Sequence, residues 1–300
     1  MPTTQADRPV STDFSREVLD LFDAYVHGAL DRRGFLQKCA VQAGSLAAAS
    51  AVLAALTPDF AFGQVVAPDD KRIATTRIDI ASPQGYGTVR AYVAQPAKRA
   101  KPLPVIIVAH ENRGLNPHIE DIARRLAVDG FIAVAPDALT TLGGYPGDED
   151  KAREAFATLD RAKIGEDFVA AARHALTLEG GNGKLGATGF CFGGGIANLL
   201  ATRIPELRAA VPFYGAGAPL ADVPRINAEL LLHFAGNDAR TNAGWPPYEE
   251  ALKKAGKRYT AYIYEGAEHG FNNDTTPRFD KAAADLAWGR TLALFKRTLV

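Results

Sequence analysis

One of the chain's two cysteines lies in a glycine-rich turn. Residues 184–195 read Lys-Leu-Gly-Ala-Thr-Gly-Phe-Cys-Phe-Gly-Gly-Gly, so Gly189 and Gly193 each stand two residues from Cys191. This spacing is typical of a nucleophile elbow, a strand-to-helix turn too tight for a β-carbon at either glycine. A thiol at its tip lies at a helix N-terminus, which lowers the thiol pKa and offers free backbone N–H groups to an oxyanion. The pattern therefore predicts that Cys191 is the nucleophile of a covalent acyl transfer.

Two other interpretations of this turn are weaker. A glycine-rich turn can cradle a dinucleotide, but the spacing here is not Gly-x-Gly-x-x-Gly and no Walker lysine follows. A buried structural cysteine is the commoner fate of this residue type, but the glycine spacing argues against it. The other cysteine is Cys39, and two cysteines are too few for a disulfide framework or a cysteine zinc site.

A cysteine elbow needs an orienting acid and a base later in the chain, in the order nucleophile, acid, base. Asp238 follows one predicted strand and His269 follows the next, so both belong at the carboxyl edge of the sheet beside the elbow. We therefore predict that Asp238 is the acid and His269 the base. His27 is set aside because it precedes a predicted export segment. The other histidines lie in a helix, in a strand or in the wrong slot: His110, His118, His174 and His233.

The elements that must position these residues alternate between strands and helices. Residues 105–109 are apolar without alternation, as a strand covered on both faces requires. A hairpin is expected around residues 83–87, and the helical stretch 150–179 is expected to break near Ile164-Gly165. Strands separated by helices predict an α/β fold, with a mainly parallel central sheet and helices on both faces. The other predicted strands are 131–135, 185–190, 209–214, 230–234 and 259–264, and the other helices are 118–129, 192–203, 246–255 and 277–299.

The composition fits one catalytic domain and argues against several partners. Of the 300 residues, 47% are hydrophobic and 23% are charged, which is ordinary for a globular enzyme. The 34 basic and 34 acidic residues give a formal net charge of zero, so nothing favours nucleic-acid binding, which needs a basic surface. No histidine pair has the i, i+4 spacing of a zinc site, and the predicted chemistry requires no metal or organic cofactor.

The N-terminal segment resembles a twin-arginine export signal. Arg32-Arg33 precede a spacer and Phe-Leu, and residues 40–56 are mostly Ala, Val and Leu. This weakly apolar run suits a signal better than a stable membrane anchor. Small residues at 61 and 63 suggest cleavage after Gly63. The segment therefore predicts a signal region at 1–63, a catalytic domain at 64–300, passage through the twin-arginine export machinery, and a periplasmic or secreted enzyme.

The same segment has a plainer interpretation, in which residues 14–56 form two helices that stay on the folded protein. Val18, Leu19, Phe22 and Val26 form an apolar stripe at helical spacing. An export signal does not need such a stripe. The alternative to export is a cytoplasmic enzyme.

Four motifs resemble those of the dienelactone hydrolase family, also called carboxymethylenebutenolidases. The likeness covers roughly residues 75–298, with motifs at 110–114, 189–194, 236–238 and 266–271. The resemblance implies an α/β-hydrolase fold and cleavage of a small lactone or ester. It also implies that Glu111 contacts the resting thiol, and that the backbone N–H groups of Asn112 and Phe192 form the oxyanion hole. A loop salt bridge between Glu111 and Arg113 is the alternative for that glutamate.

The resemblance also bears on the substrate. Members of the family hold a substrate carboxylate with arginines, one of them shortly after the catalytic histidine, whereas the first arginine after His269 is Arg278. We therefore expect only a weak preference for anionic lactones. A general short-chain carboxylesterase or thioesterase, or a non-catalytic binding protein on the same fold, are the alternative functions. The candidate pocket residues are Arg113, Tyr214 and Phe271.

Overall fold

A single mixed sheet forms the centre of the protein. The structure is a computed structural model that describes residues 9–300. Eight strands make up the sheet: β1 (Ile73–Ser82), β2 (Gly87–Pro96), β3 (Leu103–Ala109), β4 (Ile132–Asp137), β5 (Gly181–Phe190), β6 (Leu207–Phe213), β7 (Glu229–Ala235) and β8 (Tyr259–Tyr264). They lie in the order β1-β2-β4-β3-β5-β6-β7-β8.

The strand directions agree with the predicted architecture. β1 and β2 form an antiparallel hairpin whose last pair is Ser82 with Gly87, and β2 is also antiparallel to β4. All the remaining neighbours are parallel. The carboxyl ends of β3, β5, β6, β7 and β8 therefore lie on one edge of the sheet, where a parallel α/β protein places its ligand site.

Helices connect the strands at the predicted places, with one difference. The break in the stretch 150–179 falls at residues 158–160 instead of at Ile164-Gly165, because Asp160 caps the second helix by accepting a hydrogen bond from the Ala162 N–H (2.8 Å). Gly165 lies inside that helix, where its lack of a side chain leaves room for Leu199. The helices after β3 are α4 (Pro117–Val128), α5 (Glu149–Ala157), α6 (Arg161–Leu176), α7 (Phe192–Arg203), α8 (Ala239–Asn242), α9 (Trp245–Lys254) and α10 (Lys281–Leu299).

Both faces of the sheet are buried, as the apolar run at 105–109 predicts. Val105 and Ile107 of β3 belong to the core that includes α6 and α7, and Ile106 and Val108 belong to the core that includes α4 and α10. A strand between two helical layers needs apolar side chains at every position. The α/β-hydrolase type of sheet, with helices on both faces, is therefore confirmed.

Among residues 9–300, three further α-helices precede the sheet: α1 (Arg16–Val26), α2 (Arg32–Ala43) and α3 (Leu46–Leu56). They enclose a separate apolar core that includes Phe22, Phe35, Cys39, Leu53 and Leu56. In residues 9–300, no single helix is long and apolar enough to cross a membrane, and α2 and α3 meet that test only as a pair bent by 111°.

The segment that resembles an export signal is thus folded into helices in this structure. There are three of them instead of the two in the alternative interpretation, because Gly44 ends α2 with a φ of 82° and Ser45 caps α3. The predicted stripe of α1, from Val18 to Val26, is buried. Export itself stays a prediction, and so does the domain division at residue 63.

Candidate active site

Cys191 lies at a tight turn between β5 and α7. Its φ of 55° is in the left-handed region, a strain that non-glycine residues show mostly at functional sites. A β-carbon at Gly189 would overlap the carbonyl oxygen of Gly193, and one at Gly193 would overlap the carbonyl oxygen of Ala109 in β3. The glycine spacing of the sequence is therefore a requirement of this backbone, and the turn has the form of a nucleophile elbow.

Asp238 and His269 meet at the carboxyl edge of the sheet. Asp238 follows β7, and its Oδ1 accepts a hydrogen bond from the Thr241 N–H (3.1 Å). Its Oδ2 lies 2.5 Å from Nδ1 of His269, which follows β8. Both side chains are buried, with 2% of Asp238 and 7% of His269 exposed. Since Nδ1 is held by the carboxylate, Nε2 is the ring nitrogen left to face the thiol, and one nitrogen of His269 lies within 4.8 Å of Cys191 Sγ.

The charges of the site favour a thiolate beside an imidazolium. Burial alone would raise the pKa of the Cys191 thiol, but the positive charge of His269 and the hydrogen bond to His27 lower it to about 5. Burial would likewise lower the pKa of His269, but the charge of Cys191 and the hydrogen bond to Asp238 raise it to about 9. Between these values Cys191 is ionised and His269 is protonated, so a thiolate is present without a further base.

The residues of the two candidate oxyanion donors line one cavity together with the thiol. Phe192 is the first residue of α7, so its N–H has no acceptor in the helix ladder. Asn112 lies in the loop after β3, and its side-chain Nδ2 donates to the Val26 carbonyl oxygen (2.8 Å). Asn112 and Cys191 line the same two cavities. The role of the two backbone N–H groups as oxyanion donors, which the family resemblance implies, stays a prediction.

Glu111 and Arg113 have other partners than the sequence suggested. Glu111 Oε2 accepts a hydrogen bond from Asn273 Nδ2 (3.1 Å), and no hydrogen bond joins Glu111 to Cys191 among residues 9–300. Arg113 pairs with Glu149 instead of Glu111, at 2.9 Å between Nε and Oε2. The carboxylate of Glu111 still lines one cavity with Cys191. The implied contact of Glu111 with the resting thiol is therefore replaced by a contact with the loop after His269.

The two aromatic candidates for the pocket differ in their positions. Tyr214 lines one cavity with Cys191, and its ring centroid lies 5.0 Å from that of His269. Phe271 is fully buried and lines neither cavity beside the thiol. Its ring packs against Tyr214 at 5.4 Å, so it supports the pocket from behind and does not line it.

Sequence reasoning missed His27. This residue follows α1, and its Nε2 lies 3.4 Å from Cys191 Sγ. Its position before the predicted export signal argues against a role in the site, and no local motif connects it to a cysteine 164 residues away. The one sequence signal that points to His27 is the apolar stripe of α1. A helix with an apolar stripe packs that stripe against another part of the protein, so α1 is expected to lie on the folded domain.

Two cavities flank the thiol. The first has a volume of about 360 Å³ and is lined by the N-terminal helices and the loops after β3 and β8. Its apolar lining includes Phe22, Val26, Leu53, Leu56 and Phe60. The second, of about 530 Å³, lies between His27, Tyr214 and α8. A small acyl compound fits either volume.

His27, Cys191 and His269 form a cluster with the donor types of a soft metal site. Their ligand atoms lie within 4.8 Å of one another among the described residues. Two imidazoles and a thiolate suit Zn²⁺, and each histidine has an aspartate behind it. A metal ion bound there would occupy the sulfur that acyl transfer uses, so the two uses of this cluster exclude each other.

The fold and this site together define an α/β-hydrolase. Residues 89–299 match the Dienelactone hydrolase family. Residues 6–44 match a separate family described as YqhI-like. The first match covers more than half of the chain, which therefore belongs to the dienelactone hydrolase family and is a hydrolase.

Similar proteins agree with this membership. A protein of Escherichia coli (strain K12) named "Putative carboxymethylenebutenolidase" is 33% identical over 249 residues, which are 78% of this chain and 90% of that protein. "Putative hydrolase fragment YghX" of the same strain is 50% identical over 99 residues, 33% of this chain and 85% of the fragment. The crystal structure of a "Putative Dienelactone Hydrolase" from Klebsiella pneumoniae matches with a TM-score of 0.65 and 30% identity, and covers 75% of this chain and 99% of its own.

Proposed function

We propose that the protein hydrolyses a small lactone or ester through a thioester intermediate on Cys191. The observation that carries this proposal is the elbow thiol beside a hydrogen-bonded His269–Asp238 pair, 2.5 Å between Nδ1 and Oδ2. A nucleophile, a base and an orienting acid in this arrangement are the parts that acyl transfer needs. All three lie at the edge of the sheet where two cavities open beside the sulfur.

Acylation begins with attack of the Cys191 thiolate on the carbonyl carbon. A C–S bond forms, and the negative charge on the carbonyl oxygen is stabilised by the N–H groups of Asn112 and Phe192. The C–O bond to the alkoxide then breaks, and the alkoxide takes the proton from Nε2 of His269. An ester releases its alcohol at this point, whereas the alcohol of a lactone stays attached to the acyl group.

In deacylation His269 acts as a base, whereas in acylation it acts as an acid. Neutral His269, held by Asp238, takes a proton from water as the water oxygen adds to the thioester carbon. The C–S bond then breaks, the electron pair returns to sulfur, and the carboxylic acid leaves. The site returns to the thiolate–imidazolium pair.

Most of the arginines beside the thiol are already paired with protein carboxylates. Five arginines line the two cavities, and four of them are beside carboxylates: Arg32 beside Asp150, Arg113 beside Glu149, and Arg240 and Arg278 beside Asp23. The fifth, Arg161, lies over the rings of Phe156 and Phe192. A guanidinium paired with a protein carboxylate has less to offer a substrate anion. We therefore propose that neutral lactones and short esters are accepted as well as anionic lactones.

The direct test is hydrolysis of p-nitrophenyl acetate by Cys191→Ala. Loss of a nucleophile costs several orders of magnitude in rate, so the variant should retain less than about a thousandth of the activity. Iodoacetamide should inactivate the wild type and alkylate Cys191 but not Cys39, which is buried in the core of the N-terminal helices. A folded Cys191→Ala enzyme with more than about a tenth of the activity would overturn the proposal. A thioesterase would instead prefer thioesters in a substrate panel, and a binding protein would turn over nothing.

Localisation is a separate proposal. The Arg32-Arg33 pair and the apolar run at 40–56 support twin-arginine export to the periplasm or beyond. Its test is cell fractionation of a variant with both arginines changed to lysine, beside Arg173→Lys on the exposed face of α6 as a control. Export lost in the double variant alone supports the signal. Undiminished export, or wild-type protein found only in the cytoplasm, overturns it.

A further inference from the structure

The three N-terminal helices, residues 16–56, form a cap over the candidate active site. The cap lines the first cavity with five side chains of α1 and α3, among them Val26 and Leu56, and His27 lines the second. On the basis of the proposed function, we propose that this cap is a permanent part of the active site. We further propose that His27, oriented by Asp23, is an additional catalytic residue that stabilises the Cys191 thiolate.

The geometry around His27 resembles that of the His269–Asp238 pair, with one difference: His27 Nδ1 donates its hydrogen bond to the Asp23 carbonyl oxygen (2.8 Å) and forms an ion pair with the Asp23 carboxylate. His27 Nδ1 lies 3.1 Å from Asp23 Oδ1, and its Nε2 lies 3.4 Å from Cys191 Sγ. The His27 side chain is 15% exposed. Its ring meets the His269 ring edge-on, with 4.7 Å between centroids. The sulfur is therefore in reach of two imidazoles, and each of them has a carboxylate behind it.

The end of α1 fixes this position. The His27 N–H donates to the Asp23 carbonyl oxygen (3.0 Å), which closes the last turn of the helix. Gly28 follows with a φ of 82°, a conformation that turns the chain away and leaves the ring at the helix end. The carbonyl oxygen of Val26 accepts a hydrogen bond from the Asn112 side chain (2.8 Å). The helix end that carries His27 is thus tied to the loop that carries a candidate oxyanion donor.

Ion pairs join the cap to residues beside the candidate triad. Arg16 Nη1 lies 2.8 Å from Oε1 of Glu268, the residue before His269, and the Glu268 side chain is only 8% exposed. Arg240, two residues after Asp238, lies 3.3 Å from Asp23 Oδ2. A pair with one buried partner is less screened by solvent than a surface pair. The cap is therefore attached at the places where its movement would disturb the site.

The segment after the cap is bound to the catalytic domain as well. The carbonyl oxygen of Gly63 accepts a hydrogen bond from Arg125 Nη2 (2.9 Å), and the Val66 N–H donates to Asp121 Oδ1 (2.8 Å). A β-carbon at Gly63 would overlap Thr275. Peptidases cut exposed and mobile chain, whereas Gly63 is buried and both sides of this peptide are hydrogen-bonded to the domain, although Gln64 itself is exposed. The folded enzyme should therefore keep its cap.

The chemical role of His27 differs from that of His269. With its Nε2 proton directed at sulfur, His27 stabilises the negative charge of the resting thiolate through a charge-assisted hydrogen bond. The same charge returns to sulfur when the C–S bond of the thioester breaks, so His27 also favours deacylation. Its proton stays on nitrogen throughout, whereas His269 gives and takes a proton in each half of the reaction.

The charged groups that face His27 decide whether it holds that proton. Asp23 and the Cys191 thiolate favour the charged ring, whereas Arg240 and His269 disfavour it. Burial alone would lower the pKa of His27, but the hydrogen bonds to Asp23 and Cys191 raise it. Arg240 Nη2 lies 2.9 Å from His27 Nε2, a contact that needs a neutral ring. Since half of the Arg240 side chain is exposed, it can turn away when the ring is charged.

The first experiment measures how fast iodoacetamide alkylates Cys191 as a function of pH. In full-length His27→Gln, the pH at which the thiol becomes reactive should rise by about one unit, since the thiolate loses a charge-assisted hydrogen bond. His174→Gln, on the exposed face of α6, is the matched control and should follow the wild type. A His27→Gln profile that coincides with the wild type would overturn the role of His27.

The second experiment separates the two halves of the reaction. Full-length His27→Gln should release a burst of p-nitrophenol from p-nitrophenyl acetate and then turn over about tenfold to a hundredfold more slowly, because deacylation expels a less stabilised thiolate. Asp23→Asn should show a smaller change in the same direction. Unchanged steady-state turnover of a folded His27→Gln enzyme would overturn this inference. It would leave the proposed function standing, provided that Cys191→Ala is inactive.

The third experiment tests the permanence of the cap. Full-length protein is expressed in a bacterium, and the intact mass of the active enzyme is measured in each cell fraction. The inference expects the active enzyme to contain residues 16–56 wherever it is found. An active enzyme that begins at Gln64 would overturn it, and would at the same time support cleavage of an export signal after Gly63.

Discussion

Two aspartate–histidine pairs reach the same sulfur, and they differ in what holds them. His269 and Asp238 lie on loops after adjacent parallel strands, with 2.5 Å between nitrogen and oxygen and little exposure. His27 and Asp23 lie at the end of a cap helix, at 3.1 Å, and 24% of the Asp23 side chain is exposed. The same two residue types are thus held more firmly in the His269–Asp238 pair than in the His27–Asp23 pair. The rigid pair suits proton transfer, which needs exact orientation, and the looser pair suits charge stabilisation, which tolerates movement.

The largest loss of activity is expected when the His269–Asp238 pair is broken. His269→Gln keeps a hydrogen-bonding side chain but removes the group that protonates the leaving alkoxide, so kcat/KM for p-nitrophenyl acetate should fall by about a thousandfold or more. Asp238→Asn should cost less, because the ring remains. If His27→Gln and His269→Gln lost kcat/KM equally, the two pairs would not differ in function as the account requires. Steady-state kinetics on both variants decide this.

The next largest effect is the dependence of activity on pH. The thiol pKa of about 5 and the His269 pKa of about 9 predict a bell-shaped kcat/KM profile. Below about pH 5 the thiolate is protonated, and above about pH 9 the imidazolium loses the proton that the alkoxide needs, so activity falls about tenfold per unit beyond each limb. His27→Gln should move the acid limb upward. An acid limb that stays in place would contradict the assigned role of the second pair.

A smaller effect is expected on substrate selectivity. Asp23 lies 3.6 Å from Arg278 and 3.3 Å from Arg240, so Asp23→Asn leaves both guanidinium groups less neutralised beside the cavities. The ratio of kcat/KM for dienelactone to that for an uncharged lactone of similar size should rise by about tenfold. Asp20→Asn, on the exposed side of the same helix, should leave the ratio unchanged. A wild-type preference for the anion above about a hundredfold would show that a carboxylate clamp already exists.

The smallest effect should come from Gly28→Ala. Gly28 has a φ of 82° and no atoms near the place of a β-carbon, so the substitution strains the backbone without a collision. The strain should cost about 1 kcal/mol of unfolding free energy, seen as a fall of about 2 °C in Tm. Gly28→Asn, which adopts this conformation more readily, should lose less. If both variants melt like the wild type, the turn after α1 does not hold His27 in place.

The first pair could be predicted from sequence and the second could not, for physical reasons. Glycine is required at 189 and 193 because a β-carbon there would collide with nearby backbone. Asp238 and His269 follow consecutive strands. Both features are visible as short patterns in the sequence. The position of His27 depends on how a cap packs across the sheet edge, which no local pattern specifies. The apolar residues 40–56 were compatible with a signal because the same composition also makes a helix pair with its own core.

The pocket residues show a similar limit. The partner of Arg113 is Glu149, the first residue of α5, and the partner of Glu111 is Asn273, in the loop after β8. The ion-pair and hydrogen-bond partners of such long side chains depend on which loops come together in the folded protein. Local sequence does not specify that arrangement. The type of fold, by contrast, follows from periodicity and the order of elements, and that part of the prediction is confirmed.

The central claim is that an acyl group passes through Cys191. The most direct measurement is rapid-quench mass spectrometry of the full-length enzyme with p-nitrophenyl acetate, followed by mapping of the modified peptide. The account predicts one acetyl group on Cys191, formed in step with the release of p-nitrophenol and accumulating further in His27→Gln. An acetyl group on another residue during turnover, or the same kinetic adduct in Cys191→Ala, would contradict it.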